Sequence, residues 1–453
     1  MDLALSSYLQ DKGHAVHCVT YQSASQSLFL NAGHAVTHIP DQLPNNPLPQ
    51  GDALDALDSK YQKPGLPLMV NSDILLRKGD YQEGLRIIVN HLRFWEQFFE
   101  RKQVDVLLMY VTAYRVGRTA YAVARSENIP CLIIQSGPTP NRFTLCDKNE
   151  DWVWTELLHN LEAAESIRLS PEERGRVQDA VRQVSTFKDI IRSPRPSWRD
   201  LIKSTQRAVI SADPIQRNEW RKVCQQMLWW RMPGVRLRYD PIQENDDFVF
   251  FPLHAAWDAQ ILTRNPLFHN QLVLAEQAAL SLPAGYNLYV KEHPYNAGGE
   301  HRNQLQAIQR IHNVRLIDPR VNSKLLIQKS AAVFAINGTA GWEAFLLKKP
   351  VLVIGKPFYR HSSLVYPVQR LDDLPDVMRE SLTEGSERYE AETDKWFGFI
   401  HHAVNTSYPG NPWGYMSFWG GSVPADLTRD NVRRVAESIH GKIGRRERGP
   451  KSD

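Results

Sequence analysis

The chain has 453 residues, 42% of them hydrophobic and 23% charged, with 25 Gly and 28 Pro; these values exclude disorder, collagen and coiled coil as overall descriptions and leave room for two or three domains. Lys plus Arg number 54 against 50 Asp plus Glu, a surplus too small over this length to point to nucleic acid. Four cysteines, Cys18, Cys131, Cys146 and Cys224, form no C-x-x-C pair, so neither a zinc site nor a disulfide framework is expected and a reducing, cytoplasmic setting fits. With no run of ~18 apolar residues and no basic-then-apolar leader, the expectation is a protein neither integral to a membrane nor exported, with a peripheral membrane role left open.

The opening DLALSSYLQDKG reads as a short helix stopped by Gly13. HAVHCVTY and AVTHIP (35–40) alternate as strands. A nucleotide-type α/β domain ordinarily opens on a strand; here a helix comes first, so the reading is a domain without its first strand or a start placed late. Residues 41–70, rich in Pro and Asn, read as loop. An amphipathic helix is predicted from Tyr81 to Lys102, then the strand VDVLLMYV (104–111), a helix over 114–127 and the strand PCLIIQSG (130–137). Strand, helix, strand in that order argues for parallel pairing with a right-handed crossover. Residues 155–230 are charged and helical in pattern, broken at SPRPSW (193–198), and read as a helical insertion leading to a link.

A second series opens at DDFVFFPL (246–253) and continues through NLYVKEH (287–293), VRLID (314–318), AAVFAIN (331–337) and PVLVIG (350–355), with helices between the strands. This pattern describes a doubly wound parallel sheet, whose ligands collect at the carboxyl ends of strands. The expected organisation is a first α/β domain over 1–235 with an insertion over about 150–230, a second over 246–385, and a helical segment with a basic tail over 386–453 packing back towards the first.

The candidate chemistry lies at strand ends of the second series. KEHP presents His293 where the backbone turns, with Pro294 fixing φ; an imidazole there can donate to a phosphate oxygen, although an isolated His-Pro is as readily a plain turn. INGTAGWEAFLLKKP turns tightly through Asn337, Gly338 and Thr339 into a helix whose free N–H groups favour an anion. Glu343 follows Thr339 by one helical turn, placed to accept the hydroxyls of a ribose or simply to face solvent. Ser323, after Asn322, starts another helix as a cap or a further phosphate contact. His254 and Asp258 in FPLHAAWDAQ end the first strand, and Asp258 could act as acid or base or only favour a helix start. In the first domain Gln135, Ser136 and Gly137 form an opposing lip, and Arg142 could meet an anionic acceptor. WWRMPGVRLR (229–238) mixes aromatics with arginines and could touch an anionic membrane or serve as a plain linker. Leu371-Asp372-Asp373 lacks the flanking ligands of a metal site, so no metal is expected.

The runs YVKEHP and RLIDPRVNSKLLIQKSAAVFAINGTAGWEAFLLKKPVLVIG resemble the capsule polysaccharide biosynthesis proteins, which include bacterial Kdo transferases of the two-domain GT-B fold. The likeness is strong over roughly 246–360 and weaker over 104–147. It implies two Rossmann-like domains facing across a cleft, and a glycosyltransferase that moves an acidic sugar from a CMP-activated donor to a glycan or glycolipid, with no metal or other cofactor. His293, Pro294, Ser323 and the Asn337, Gly338, Thr339 turn would hold the nucleotide phosphate, and Glu343 the ribose. The family tends to place a Glu and a Gly-Tyr or Gly-Phe pair where this chain has Gln135, Ser136, Gly137 and Pro138, and a Gln where it has His254. Gln135 cannot ionise, so Asp258 is the expected base beside His293. Two other readings stand beside this one: a glycerophosphotransferase using a CDP-glycerol donor, and a catalytically idle scaffold in a polysaccharide synthesis or export complex.

Overall fold

The computed structural model describes residues 2–186, 237–412 and 425–447, apart from residues 64, 74, 78, 111–113, 257 and 295–301, together with a few positions between 199 and 224. The break at SPRPSW, residues 229–236 of the aromatic and arginine-rich stretch, and the end of the basic tail lie outside the described residues. The chain divides into two compact units, one of residues 1–159 and 402–453 and the other of residues 160–401. The division therefore falls away from the boundaries at 235 and 385 that the sequence suggests, and local bonds show why. Lys324 Nζ donates to the Val184 carbonyl at 2.8 Å, tying the start of the insertion to the second unit. Trp396 Nε1 donates to the Phe345 carbonyl at 2.8 Å, tying in the segment before 401.

In the first unit α1 (Asp2–Asp11) precedes a two-stranded parallel sheet of β1 (His17–Thr20) and β2 (Ala35–His38), joined by α2 (Ser23–Asn31). Residues 41–70, read as loop, contain helices Asp52–Lys60 and Leu66–Ser72. The second of these carries buried Leu66, Met69 and Val70 at helical spacing. It packs on α3 (Tyr81–Lys102) where a Cβ at Gly84 would stand 2.7 Å from Val70. α3 starts where Asp80 accepts from the Glu83 N–H at 2.8 Å, and it stops at Gln103 in the left-handed region.

A mixed sheet follows. β3 (Leu107–Tyr110), α4 (Arg115–Ser126) and β4 (Cys131–Ser136) form the expected parallel crossover. β5 (Arg142–Cys146) returns antiparallel to β4, and a short strand at Tyr408–Pro409 pairs antiparallel with β5. The tight return needs Gly137: its N–H donates to the Arg142 carbonyl at 2.9 Å, and a Cβ there would meet Arg142 backbone at 2.6 Å. Leu5, Leu9, Leu132, Ile134, Phe143 and Leu145 share one core with Val435, Ala436 and Ile439 of the last helix, Ala425–Glu447.

The second unit, which carries the helix Pro171–Thr186, α5, near its start, is built on a six-stranded sheet. Its strands are β6 (Asp247–Pro252), β7 (Tyr286–Lys291), β8 (Val314–Ile317), β9 (Ala332–Ala335), β10 (Val351–Val353) and β11 (Tyr366–Pro367). Every pairing is parallel and the order is β11-β10-β9-β6-β7-β8. The chain thus builds outward from β6 to β8, crosses back to the other side of β6, and builds outward again. That is the order of a dinucleotide-binding sheet, and it creates a topological switch point between β6 and β9. The strand cores are apolar on both faces, as a parallel sheet covered on both sides requires: Val249, Phe250 and Phe251, then Leu288 to Val290, then Ala332 to Ile336 are all buried. Trp342, 1% exposed, fills the layer beside β9 and stacks on Phe345 with ring centroids 5.3 Å apart.

Candidate functional site

The loops leaving β6 and β9 meet at the switch point. Beyond β6 the chain turns into α6 (Ala259–Leu262), with Asp258 as its N-cap accepting from the Gln260 N–H at 2.9 Å. His254 sits one turn earlier, 7% exposed, with Nδ1 3.1 Å from Asp258 Oδ2. The peptide of His254 is fixed independently of its ring. Gln271, at the start of α7 (Gln271–Ser281), accepts from the His254 N–H at 2.6 Å and donates to its carbonyl at 3.1 Å.

Past α8 (Arg302–Ile308) and α9 (Ser323–Lys329), and beyond β9, Asn337 and Gly338 lead into α10 (Thr339–Leu346). Gly338, not Thr339, is the N-cap, and it offers no side chain to the helix's first amides. A Cβ on Gly338 would stand 3.2 Å from His254 Cε1, so the absence of a side chain is what lets the imidazole lie over the helix start. Asn337 is fully buried, and both ends of its amide are occupied. Nδ2 donates to Gln260 Oε1 at 3.1 Å and Oδ1 accepts from the Lys356 N–H at 2.9 Å. Gln260 Oε1 also accepts from Arg264 at 2.9 Å. Asn337 therefore wires the β9 loop to the β6 loop. Tyr359 completes the turn by donating to the Gly338 carbonyl at 2.7 Å.

His293 follows β7, the neighbour of β6 on its other side, and Pro294 after it is buried. Burial holds the His293 imidazole down to about 4; Asp258's charge pulls it up, and Lys291 and His254 push it further down. The ring is thus neutral at neutral pH and close enough to feel both His254 and Asp258. For Asp258, burial raises the carboxyl, but the hydrogen bond and charge of His254, the Gln260 N–H and the charge of His293 outweigh it, so it stays ionised below the usual range. Glu292, 4% exposed, is pushed up to about 7 by burial, with Lys291 opposing.

Three loops, after β6, β7 and β9, thus bring together Asp258, His293 and the Gly338–Thr339 helix start, with His254 between them. Glu343 lies one turn along α10, 8% exposed and within electrostatic reach of Tyr359, rather than on a solvated face. Ser323 belongs elsewhere on the edge. It opens α9 (Ser323–Lys329) after β8, two strands from β6, and Asn322 is the cap there, accepting from the Lys324 N–H at 2.8 Å. Among the described residues no group of three or more His, Cys, Asp or Glu could hold a metal ion.

The first-domain candidates sit in tighter surroundings than a lip implies. Gln135 is fully buried opposite Thr144, and Ser136 is 3% exposed, its carbonyl accepting from Trp152 at 3.1 Å. Arg142 Nε donates to Ser407 Oγ at 2.7 Å and Nη2 to the Ser407 carbonyl at 2.6 Å, a clamp between β5 and the Tyr408–Pro409 strand. Sequence reasoning missed Gln260, Gln271 and Arg264. The spacing of Gln260 from Asp258 and of Arg264 from Gln260 was the available signal, but polar residues beside an N-cap are common, and Gln271 lies outside that pattern.

Residues 230–370 match the family model of the capsule polysaccharide biosynthesis protein. No curated protein matches the chain. Among solved structures, the β-Kdo 2,7 transferase KpsC of Thermosulfurimonas dismutans is similar at 12% identity, covering 77% of this chain and 89% of that one with a TM-score of 0.40. A UDP-GlcNAc 2-epimerase from Neisseria meningitidis bound to UDP-GlcNAc is similar at 14% identity, 89% and 95% coverage, and a TM-score of 0.31. A glycosyltransferase from Rickettsia africae is similar at 9% identity, 97% and 93% coverage, and a TM-score of 0.31. Among the described residues no helix is long and apolar enough to cross a membrane.

Proposed function

We propose that the chain is a glycosyltransferase of capsular or other surface polysaccharide biosynthesis, which transfers a Kdo-like acidic sugar from a CMP-activated donor to a glycan or glycolipid acceptor. The observation that carries this reading is the meeting of Asp258, His293 and the bare Gly338 helix start at the switch point between β6 and β9. In this reading the donor phosphate rests on the first amides of α10 with Thr339, where the helix end is positive. His293 donates an N–H to a phosphate oxygen, and Glu343 accepts from the ribose. The bond between the anomeric carbon and the phosphate oxygen breaks, and CMP leaves with the electron pair. The acceptor hydroxyl oxygen forms the new glycosidic bond, and its proton passes to Asp258, which His254 and the Gln260 N–H hold in place.

Metal independence belongs to this reading, since the helix end and His293 offset the leaving charge; turnover unchanged by EDTA is its check. So does action in the cytoplasm at the inner face of a membrane, where a glycolipid acceptor would be presented. Calorimetry with CMP, UMP and GDP, coupled to a donor-hydrolysis assay, tests the whole. CMP is expected to bind best; absence of binding by all three nucleotides rejects the reading. Transfer of glycerol phosphate from CDP-glycerol would replace it with the glycerophosphotransferase. His293→Ala is expected to cut turnover sharply with the melting temperature nearly unchanged.

A further inference from the structure

The turn that carries Asn337, Gly338 and Thr339 is gripped, residue by residue, by the loop that follows β10. The Gly355 N–H donates to the Ile336 carbonyl at 3.1 Å, the Lys356 N–H to Asn337 Oδ1 at 2.9 Å, and the Tyr359 hydroxyl to the Gly338 carbonyl at 2.7 Å. Two glycines make room for this approach. A Cβ on Gly355 would collide with the Ile336 carbonyl, and one on Gly341 with the Tyr359 hydroxyl. Tyr359 is fully buried. Burial, with the charge of Glu343 adding, pushes its phenol up, so the hydroxyl keeps the proton it donates.

The loop itself is held by bonds that do not use that hydroxyl. Arg360 Nη1 donates to the Gly355 carbonyl at 2.7 Å and Nη2 to Gln369 Oε1 at 2.9 Å, drawing the two ends of the loop together. Glu165 Oε1 accepts from Ser362 Oγ at 2.8 Å and from the Ser363 N–H at 3.1 Å. The Tyr359 ring stacks on Trp342 with centroids 6.3 Å apart. The hydroxyl is thus not needed to seat the loop, and the Gly338 carbonyl, at the N-cap, already accepts the first intrahelical bond of α10. What the second donor adds is direction. In a trans peptide the carbonyl and the following N–H point opposite ways. Holding the carbonyls of Ile336 and Gly338 therefore turns the N–H groups of Asn337 and Thr339 away from the loop after β10. The Thr339 N–H, first in α10, has no intrahelical acceptor to compete for it.

We propose that Tyr359 is a positioning residue for the donor phosphate: by holding the Gly338 carbonyl, its hydroxyl fixes the plane of the peptide between Gly338 and Thr339 and aims the Thr339 N–H at a phosphate oxygen. Gly341 belongs to the same device, because any side chain there takes the place of the hydroxyl. Tyr359 touches no donor atom and moves no proton; it acts through one peptide. The assignment rests on the donor reading given above and adds to it the residue that sets its phosphate contact.

The test uses the full chain and two probes. CMP is titrated calorimetrically, and cytidine, which has the same base and ribose without the phosphate, is measured by displacement of CMP. Tyr359→Phe keeps the stacked ring and removes the hydroxyl alone. CMP affinity is expected to fall about five- to tenfold, the worth of one hydrogen bond, while cytidine affinity holds, so the preference for CMP over cytidine falls by the same factor. Gly341→Ala, whose methyl displaces the hydroxyl, should lower that preference likewise, and it serves if Tyr359→Phe fails to fold. An unchanged preference overturns the assignment. So does an equal loss for both probes, which would make Tyr359 a support of the fold alone. If the unaltered chain binds CMP and both variants keep its preference, this assignment alone is wrong. If the unaltered chain binds no nucleotide, the donor reading fails and the assignment falls with it.

Discussion

The two sheets treat their carboxyl edges differently. In the second unit an all-parallel sheet reverses its direction of growth beside β6, so consecutive loops splay apart and leave His254, Asp258, His293 and a bare helix start around one point. In the first unit β5 and the Tyr408–Pro409 strand fold back antiparallel over the end of β4, and the loop is consumed by its own hairpin. Polar side chains at the end of β4 are buried as a result, and Arg142 becomes a clamp. In the proposed reading a strand end is therefore functional where the connection crosses over, and it is structural where the chain doubles back.

That contrast can be broken most directly at Asp258. Asp258→Asn keeps an N-cap of equal quality but removes the proposed base, so turnover should fall by about 10² to 10⁴ with little change in melting temperature. Loss of stability with turnover preserved would make the second edge as structural as the first. Gly338→Ala needs no strained backbone, since φ is −80°, yet its Cβ would displace the His254 ring; a roughly tenfold fall in kcat, with folding intact by circular dichroism, is expected. Arg142→Ala should do the reverse, costing about 1 to 3 kcal/mol in denaturant unfolding through two lost charge-assisted bonds while nucleotide affinity holds. The smallest effect concerns pH. His293 and His91, both held near 4, make stability rise with pH between about 4 and 6.5, whereas Glu292, held near 7, makes it fall between about 4.5 and 7. Each contributes a slope of at most about 1.4 kcal/mol per pH unit. Glu292→Gln should therefore raise the melting temperature at pH 8 and leave it nearly unchanged at pH 4.5.

The second unit was readable in the sequence because its strands are apolar runs buried on both faces and bounded by turn residues. The helices within 41–70 were hidden because they are short, and the second of them packs on α3 through Val70 at Gly84. β5 was hidden because it follows directly on Pro138 and Pro140, and only the close approach at Gly137 reveals a hairpin. In the site, Asp258, His293 and Gly338 were visible as residues of chemical type at strand ends. The role of Asn337 was not: a buried amide shared between Gln260 and the Lys356 peptide is a three-dimensional fact with no local signature.

The grip of Gln271 on residue 254 bears on how freely that position can change. Because the amide holds the peptide's N–H and carbonyl and leaves the ring alone, the course of that segment is indifferent to which side chain it carries. A substitution at 254 would therefore change the neighbour offered to Asp258 without refolding the crossover.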